Sequence, residues 1–205
     1  FASWWLLVRQ NQHALSELAL RERQFHADAV GMNLKALSAR MSEVAGSTIL
    51  ATGLVDSAGK EVYLQPFLAG IRQINGIAVQ VLFTDFEGGE IASNNGSFSA
   101  EQRQWLRERL ASGHAEPAAR LFAQGRDQEL VAVEPLIYSR TLTPEGALLY
   151  KVSLQDLFSH ETLQLAWGAQ EGPGAVVPAP PVFAPLQFQI RGELTQAAAD
   201  RSLAP

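Results

Sequence analysis

The first part of the chain carries apolar residues at helical spacing. Residues 16–49 contain no proline and only two glycines, which predicts one long helix or two helices with a break near Gly31. The apolar positions recur at intervals of three, four and seven residues and are Leu15, Leu18, Phe25, Met32, Leu34, Leu37, Met41 and Val44. Such a stripe is typical of a helix packed on its own domain. Its first half, residues 15–25, has too few apolar residues to bury against a domain by itself. We therefore expect this half to pair with a copy of itself.

Turn signals separate this segment from a shorter helical pattern. Residues 52–60 contain glycine, serine and aspartate and predict a turn. Residues 63–74 carry four apolar residues at helical spacing, which predicts a short amphipathic helix that ends at Asn75-Gly76.

The next segment reads as a strand, an acidic glycine turn and a second strand. Apolar residues at every second position predict one buried face of the first strand, formed by Ile77, Val79, Val81 and Phe83. The sequence Glu87-Gly88-Gly89 supplies residues that adopt positive φ without steric cost, and Ile91 resumes the apolar pattern.

A capping box begins a further helix, and three strand patterns follow it. Ser99 and Gln102 have the spacing of the capping box, and the predicted helix ends at Gly113. Residues 119–123, 129–138 and 147–154 are the predicted strands. Pro135 indicates an irregularity or a position at the sheet edge. The alternation in residues 147–154 predicts a strand covered on one face.

The C-terminal part combines a loop with a strand pattern. Residues 172–185 include two glycines and five prolines and predict an extended loop. Residues 186–194 alternate apolar and polar side chains and predict a half-buried strand. This strand is expected either to join the edge of the sheet or to pair with residues 163–167.

The order of long helix, two strands, helix and three strands resembles the PAS-like core of extracytoplasmic bacterial sensor domains of the Cache class. Asp85 and Gly88 stand in the places of the D-x-x-G turn that opens this core. The resemblance implies an α+β fold in which a long N-terminal helix precedes a PAS-like core with a five-stranded antiparallel sheet, here with an extra C-terminal strand. It divides the chain into a membrane-proximal end of a possible transmembrane span (1–14), the long helix (15–50), the sensor core (51–160), and a Pro/Gly-rich loop with the extra strand and a tail (161–205).

Composition narrows the classes of function. The 205 residues are 47% hydrophobic and 18% charged, which is ordinary for a globular domain. A net charge of −5 argues against nucleic acid as a partner, because such binding needs a basic surface. The absence of cysteine excludes thiol catalysis, disulfides and cysteine-ligated zinc, and suits an oxidising compartment.

The N-terminal residues are apolar and aromatic. Residues 1–8 contain Trp4 and Trp5, and polar sequence begins at Arg9. Eight residues are too few to span a hydrocarbon core of about 30 Å, but they fit the outer end of a longer span with its aromatic residues at the interface. The alternative is the start of a helix that packs on the core.

Motifs of common enzymes are missing from the sequence. There is no G-x-S-x-G elbow and no phosphate-binding loop. The histidines lie far apart, outside any metal-binding spacing, and are His13, His26, His114 and His160. The acidic residues of the turn, Asp85, Glu87 and Glu90, are expected to be solvated. We therefore predict no catalytic residue, no metal and no cofactor, and no enzymatic activity for this chain, although the full-length protein is expected to carry a cytoplasmic signalling enzyme.

The resemblance implies a ligand pocket between the concave face of the sheet and the loops and helix opposite. The residues that it places there are Tyr63, Arg72, Trp105, Arg120, Phe122, Tyr138 and Lys151. Cationic groups among them suit a carboxylate or amino-acid ligand, and the tyrosines supply hydroxyl donors. The alternative interpretation places the aromatic residues in the core and the arginines on the surface.

These observations predict the ligand- or partner-sensing domain of a bacterial transmembrane receptor, on the periplasmic face of the inner membrane. The expected output is a diguanylate cyclase or phosphodiesterase of cyclic di-GMP signalling, a histidine kinase of a two-component system, or a chemoreceptor. A homodimer through the first helix is expected, with Leu18, Phe25 and Met32 in its seam. The alternative is an inner-membrane interaction subunit of envelope assembly, such as a pilus or secretion component.

Overall fold

The computed structural model describes residues 2–56, 58–125, 127–137, 140–158, 163–165 and 174–192. A single helix of 44 residues, α1 (Ala2–Ala45), forms the N-terminal part and is about 66 Å long at 1.5 Å per residue. The break considered near Gly31 is absent, so the prediction of one long helix is confirmed. A second helix, α2 (Thr48–Val55), follows at once, so the predicted turn at 52–60 is wrong in its first half.

The second helical pattern is shorter than predicted. A π-helical turn (Lys60–Leu64) leads into α3 (Gln65–Ala69), and the chain then forms the two-residue strands β1 (Gln73–Ile74) and β2 (Ile77–Ala78). Asn75 and Gly76 have φ values of 52° and 78°. An Asn-Gly pair favours a tight hairpin with positive φ at both residues. The helix predicted to reach residue 74 therefore gives way to this hairpin.

The core is a five-stranded antiparallel sheet. Its strands are β3 (Gln80–Asp85), β4 (Glu90–Ser93), β5 (Ala118–Gln124), β6 (Asp127–Ile137) and β7 (Pro144–Ser153), in the order β4-β3-β7-β6-β5. Helix α4 (Ala100–Ala111) connects β4 to β5 and has the predicted capping box at Ser99 and Gln102. The α+β class, the five-stranded sheet and the PAS-like order of elements are confirmed.

Both faces of the sheet are covered. Leu148, Tyr150 and Val152 of β7 belong to the core on the side of α1, whereas Leu149 belongs to the core on the side of α4. The expectation that β7 is covered on one face is therefore wrong. A central strand between two layers is buried on both sides whatever its alternation.

Pro135 lies in a part of β6 that has no partner on the side of β5. The pairing of β6 with β5 ends at Val133, while Pro135 still pairs with Ala147 of β7. The missing N–H of proline consequently interrupts no ladder. The register of β6 shifts directly afterwards, between Leu136 and Ile137, so both sequence interpretations of Pro135 are confirmed.

The C-terminal part forms a separate small sheet against α1. A short helix, α5 (Leu154–Leu157), ends the core, and the small sheet consists of β8 (Leu163–Leu165), β9 (Ala175–Val176) and β10 (Gln189–Gly192), with β10 in the middle. The predicted pairing with the segment at 163–167 is confirmed for 163–165. The strand begins later than predicted, because a 3-10 turn (Ala184–Leu186) and a left-handed residue, Gln187, precede it.

Candidate functional site

A buried ion pair lies between the sheet and α4. The Nζ atom of Lys151 is 3.1 Å from both carboxylate oxygens of Glu129. The side chains are 5% and 12% exposed. A charge this deeply enclosed is tolerated only when it is paired and hydrogen-bonded.

Helix α4 completes this cluster. The amide nitrogen of Gln102 donates to Glu129, and its amide oxygen accepts from the backbone N–H of Ser99 at 3.0 Å and from Lys151 at 3.4 Å. The ammonium group of Lys151 also lies 5.0 Å from the ring centre of Phe98, which is a cation–π distance. We call these four residues, Lys151, Glu129, Gln102 and Phe98, the buried polar cluster.

An aromatic pair lies on the same face of the sheet. Trp105 of α4 and Phe122 of β5 are in edge-to-face contact, with ring centres 5.8 Å apart. The guanidinium group of Arg120 lies 4.8 Å above the ring of Phe122, and that of Arg109 lies 5.9 Å from the ring of Trp105. Partial burial lowers the pKa of Arg109, a group that stays charged at all physiological pH values.

Four of the residues expected around a ligand thus share the α4 face. They are Trp105, Arg120, Phe122 and Lys151. Tyr63 is 71% exposed on the π-helical turn, and Arg72 is exposed and donates to the backbone oxygen of Ala69, so these two lie apart from that face. Tyr138 lies outside the described residues. Lys151 faces a carboxylate of its own chain, and Trp105 and Phe122 pack on each other.

Sequence reasoning missed Glu129, Gln102 and Phe98. Glu129 was a detectable signal, because it is a charged residue directly before the apolar run 130–133, and Lys151 is the one charged residue of the pattern at 147–154. The register places Val131 opposite Lys151, so Glu129 is the diagonal neighbour of Lys151 on the same face. Gln102 was identified only as a helix cap, and its second role depends on where α4 docks.

Two polar side chains, Tyr150 and Glu134, lie on the opposite face of the sheet, under the C-terminal half of α1. The hydroxyl group of Tyr150 is buried and lacks a hydrogen-bond partner among the described residues. Burial, and secondarily the charge of Glu134, raise the pKa of this hydroxyl. Burial also raises the pKa of Glu134, against a hydrogen bond with Ser42 of α1 that lowers it. Glu134 therefore connects the sheet to α1 through a titratable group.

The N-terminal half of α1 projects from the domain. Residues 3–25 are mostly exposed, and the first fully buried residue is Ala27, so the projecting part is about 35 Å long. Its large apolar side chains are exposed, and they are Trp4, Trp5, Leu6, Leu7, Val8, Leu15, Leu18, Leu20 and Phe25. Among the described residues, no helix has a stretch apolar enough to cross a membrane.

The acidic turn is held together by its own aspartate. One carboxylate oxygen of Asp85 accepts from the backbone N–H of Glu87 at 2.9 Å and of Gly89 at 2.8 Å, and Gly88 has a φ of 82°. His13 and His114 are exposed, and His26 lies 3.9 Å from Glu22. In the described part of the chain no histidines and acids cluster as metal ligands would.

Comparison with known proteins finds two solved structures that are similar to part of this chain. No family model and no curated protein matches the chain. A domain of a sensory box/GGDEF family protein from Vibrio parahaemolyticus is 13% identical, with a TM-score of 0.49 over 67% of this chain and 60% of that chain. The sensor domain of the V. cholerae histidine kinase DctB is 17% identical, with a TM-score of 0.43 over 69% of this chain and 58% of that chain. The present chain therefore spans less than two thirds of either solved chain.

Proposed function

We propose that this chain is the extracytoplasmic sensory domain of a bacterial transmembrane signalling receptor. The observation that carries the proposal is the division of α1 into two parts. Its C-terminal half buries Ala27, Val30, Leu34, Leu37 and Met41 in the core of the PAS-like domain, and residues 3–25 are mostly exposed in the described structure. A rearrangement of the domain core would therefore move the C-terminal half of α1, and the continuous helix would transmit this movement to its N-terminal half. That half is available to a partner or a membrane.

The exposed side of α1 supports pairing of two receptor chains. Leu18, Phe25 and Met32 are 60%, 72% and 70% exposed and are seven residues apart. At 3.6 residues per turn, this stripe lies roughly 150° around the helix from the buried residues. Met32 is exposed even though its neighbours Val30 and Leu34 are buried, so one segment of helix can contact the domain and a second helix together.

The first turns of α1 support a position next to a membrane. Trp4 and Trp5 are exposed, and Arg9 lies 5.2 Å from the ring of Trp5. Tryptophan and arginine at the end of an apolar segment are typical of the membrane–water interface. In this proposal the chain itself catalyses no reaction, and a cytoplasmic enzyme or kinase of the same receptor delivers the output.

For the ligand, we propose a carboxylate or an amino acid at the α4 face. The ion pair of Arg120 with Glu101 is weak, because the two groups are 3.9 Å apart and both side chains are more than half exposed. Arg120 can therefore exchange this partner for a ligand. Lys151 would bind such a ligand only after separation from Glu129. Ligand entry would then loosen α4 from the sheet and shift the balance between two states of the domain.

The test of this function uses the full-length receptor in membranes. Phe25→Glu and Met32→Glu are compared with Gln24→Glu, which places the same charge outside the apolar stripe. A cysteine introduced as Leu18→Cys, in a chain without other cysteines, reports contact between two α1 helices. We expect the stripe variants to abolish crosslinking and signalling and the control to retain both. Unchanged crosslinking and signalling in the stripe variants would refute the proposal.

The envelope-assembly alternative is favoured by one observation, namely that Trp105, Phe122 and Arg120 contact one another and that Lys151 is paired with Glu129. In that case the α1 stripe would bind a different protein. The same Leu18→Cys variant distinguishes the two functions, because it would crosslink to another polypeptide instead of to a second copy.

A further inference from the structure

Among the described residues, nothing covers the outer edge of β5. In that part of the chain β5 is the last strand of the five-stranded sheet and pairs only with β6. Seven residues long, it has the sequence Ala118-Ala-Arg-Leu-Phe-Ala-Gln124, with one charge and no proline. Edge strands of natural proteins are usually short, charged, bulged or covered, because their free backbone groups otherwise bind another strand.

The opposite edge of the same sheet has these protections. β4 has only four residues and begins with Glu90, which forms an ion pair with Arg103. A register shift between Phe83 and Thr84 bends its pairing with β3. The contrast shows that this fold protects one edge and leaves the other open in the described part of the chain.

The register identifies which backbone groups of β5 point outward. Gln124 pairs with Asp127, which leaves two residues between the strands. In a hairpin with a loop of this length the flanking residues form a hydrogen-bonded pair, and such pairs then alternate along the ladder. The N–H and C=O groups of Ala119, Leu121 and Ala123 therefore point away from β6, and no described residue bonds to them.

We infer that the β5 edge binds the β5 edge of a second copy of this chain, in antiparallel orientation and centred on Leu121. This register pairs all seven residues. It sets the three outward residues in hydrogen-bonded pairs, with about six new backbone hydrogen bonds. On the face towards α1, the side chains that meet are Ala119 against Ala123 and Leu121 against its own copy, which are small or apolar and fit a closely paired strand.

The α4 face of β5 explains why a second copy fits better than an arbitrary strand. In this register Arg120 lies opposite Phe122 of the second copy, in the closer, non-hydrogen-bonded type of pair. Arg120 already lies 4.8 Å over the ring of its own Phe122, so the chain itself shows that these two groups attract. A register centred on Arg120 would oppose two arginines, which is unfavourable.

This interface is separate from the α1 stripe and does not rest on the proposed receptor function. One strand pair buries less area than a stable dimer interface, so the association is weak and depends on concentration. If α1 also pairs two chains, β5 pairing joins such pairs into larger assemblies, where membrane anchoring raises the effective concentration.

The first experiment measures amide hydrogen exchange at Ala119, Leu121 and Ala123 from micromolar to millimolar protein. It uses chains that carry Phe25→Glu and Met32→Glu, so that α1 pairing does not contribute. We expect exchange at these three amides to slow by about tenfold at the higher concentration. Fast exchange at every concentration would show that no pairing occurs. Slow exchange at every concentration would show that the chain's own residues cover the edge, and both results overturn the inference.

Two matched variants test the pairing itself. Ala123→Pro removes one outward N–H without breaking a bond to β6 and should abolish the concentration dependence, whereas Ala123→Thr retains the N–H and should preserve it. Identical behaviour of the two would overturn strand pairing. Leu121→Cys should crosslink to a second copy through a short thiol-reactive linker, while Glu90→Cys at the protected edge should not. Equal crosslinking at both positions would overturn the inferred pairing of β5 edges. This test does not depend on whether the Ala123→Pro variant folds.

Discussion

Lys151 and Glu129 form a two-pronged ion pair, with 3.1 Å from the ammonium nitrogen to each carboxylate oxygen, inside the layer between α4 and the sheet. Their burial means that neither charge is solvated if the other is removed. Gln102 ties this pair to the N-terminal turn of α4, so the cluster determines how the helix docks.

We predict that Lys151→Met alone lowers the free energy of unfolding by about 3–5 kcal/mol, because it leaves Glu129 buried without a partner. The double variant Lys151→Met with Glu129→Leu should lose much less, since both desolvation costs disappear together. Urea denaturation of the wild type, both single variants and the double variant gives the coupling energy directly. Additive losses would show that the pair does not act as a unit.

Gly31 allows α1 to lie close to the C-terminal segment at Pro178. A Cβ atom at this position would lie 2.4 Å from the backbone oxygen of Pro178. We predict that Gly31→Ala destabilises the domain by about 1–2 kcal/mol, because overpacking outweighs the helix propensity gained. Gly59→Ala is the control, since its Cβ would meet only the ring of Tyr63 at 3.4 Å. A stabilised Gly31→Ala variant would mean that Pro178 moves aside at little cost.

Glu134 predicts a dependence of stability on pH. Burial raises its pKa in the folded state, so the folded chain holds this proton to higher pH than the unfolded chain does. The contribution of Glu134 to stability is therefore favourable at acidic pH and is lost as the pH rises from the unfolded pKa through the folded pKa. Glu134→Gln has no group that titrates at this position, so it should not lose this contribution between the unfolded and the folded pKa. Its advantage in stability over the wild type should be present at neutral pH and should vanish near pH 4. The measurement is the urea midpoint against pH, and parallel curves would contradict the prediction.

The D-x-x-G turn predicts a contrast between two substitutions of one residue. Asp85→Ala removes the acceptor of two backbone hydrogen bonds and should cost about 1–2 kcal/mol of unfolding free energy. Asp85→Asn retains an acceptor oxygen and should cost markedly less. Equal losses in chemical denaturation would show that the carboxylate charge, and not the hydrogen-bonding geometry, stabilises the turn.

Local sequence was sufficient for most elements of the fold. The capping box at Ser99 and the turn at Gly88 depend on interactions within a few residues, and the structure has both where they were predicted. The first and last alternating strands are present but begin later than predicted, at Gln80 and Gln189. Helix α1 continued through Gly31 because its neighbours are good helix formers and because the buried contact with Pro178 needs a residue without a side chain. That second reason becomes visible only when the C-terminal segment is in place.

Local patterns in the sequence were enough for the α+β class, the order of the main elements and the buried face of the first strand, with Val79, Val81 and Phe83. The packing of separated segments placed α4 on the second face of the sheet and Lys151 against Glu129 there. It also selected residues 163–165 as the partner of the last strand and left the edge of β5 unpaired among the described residues. The physical reason is distance along the chain. Periodicity and capping act over a few residues, whereas the pairing of charges and strand edges depends on how separated segments pack, which no local pattern encodes.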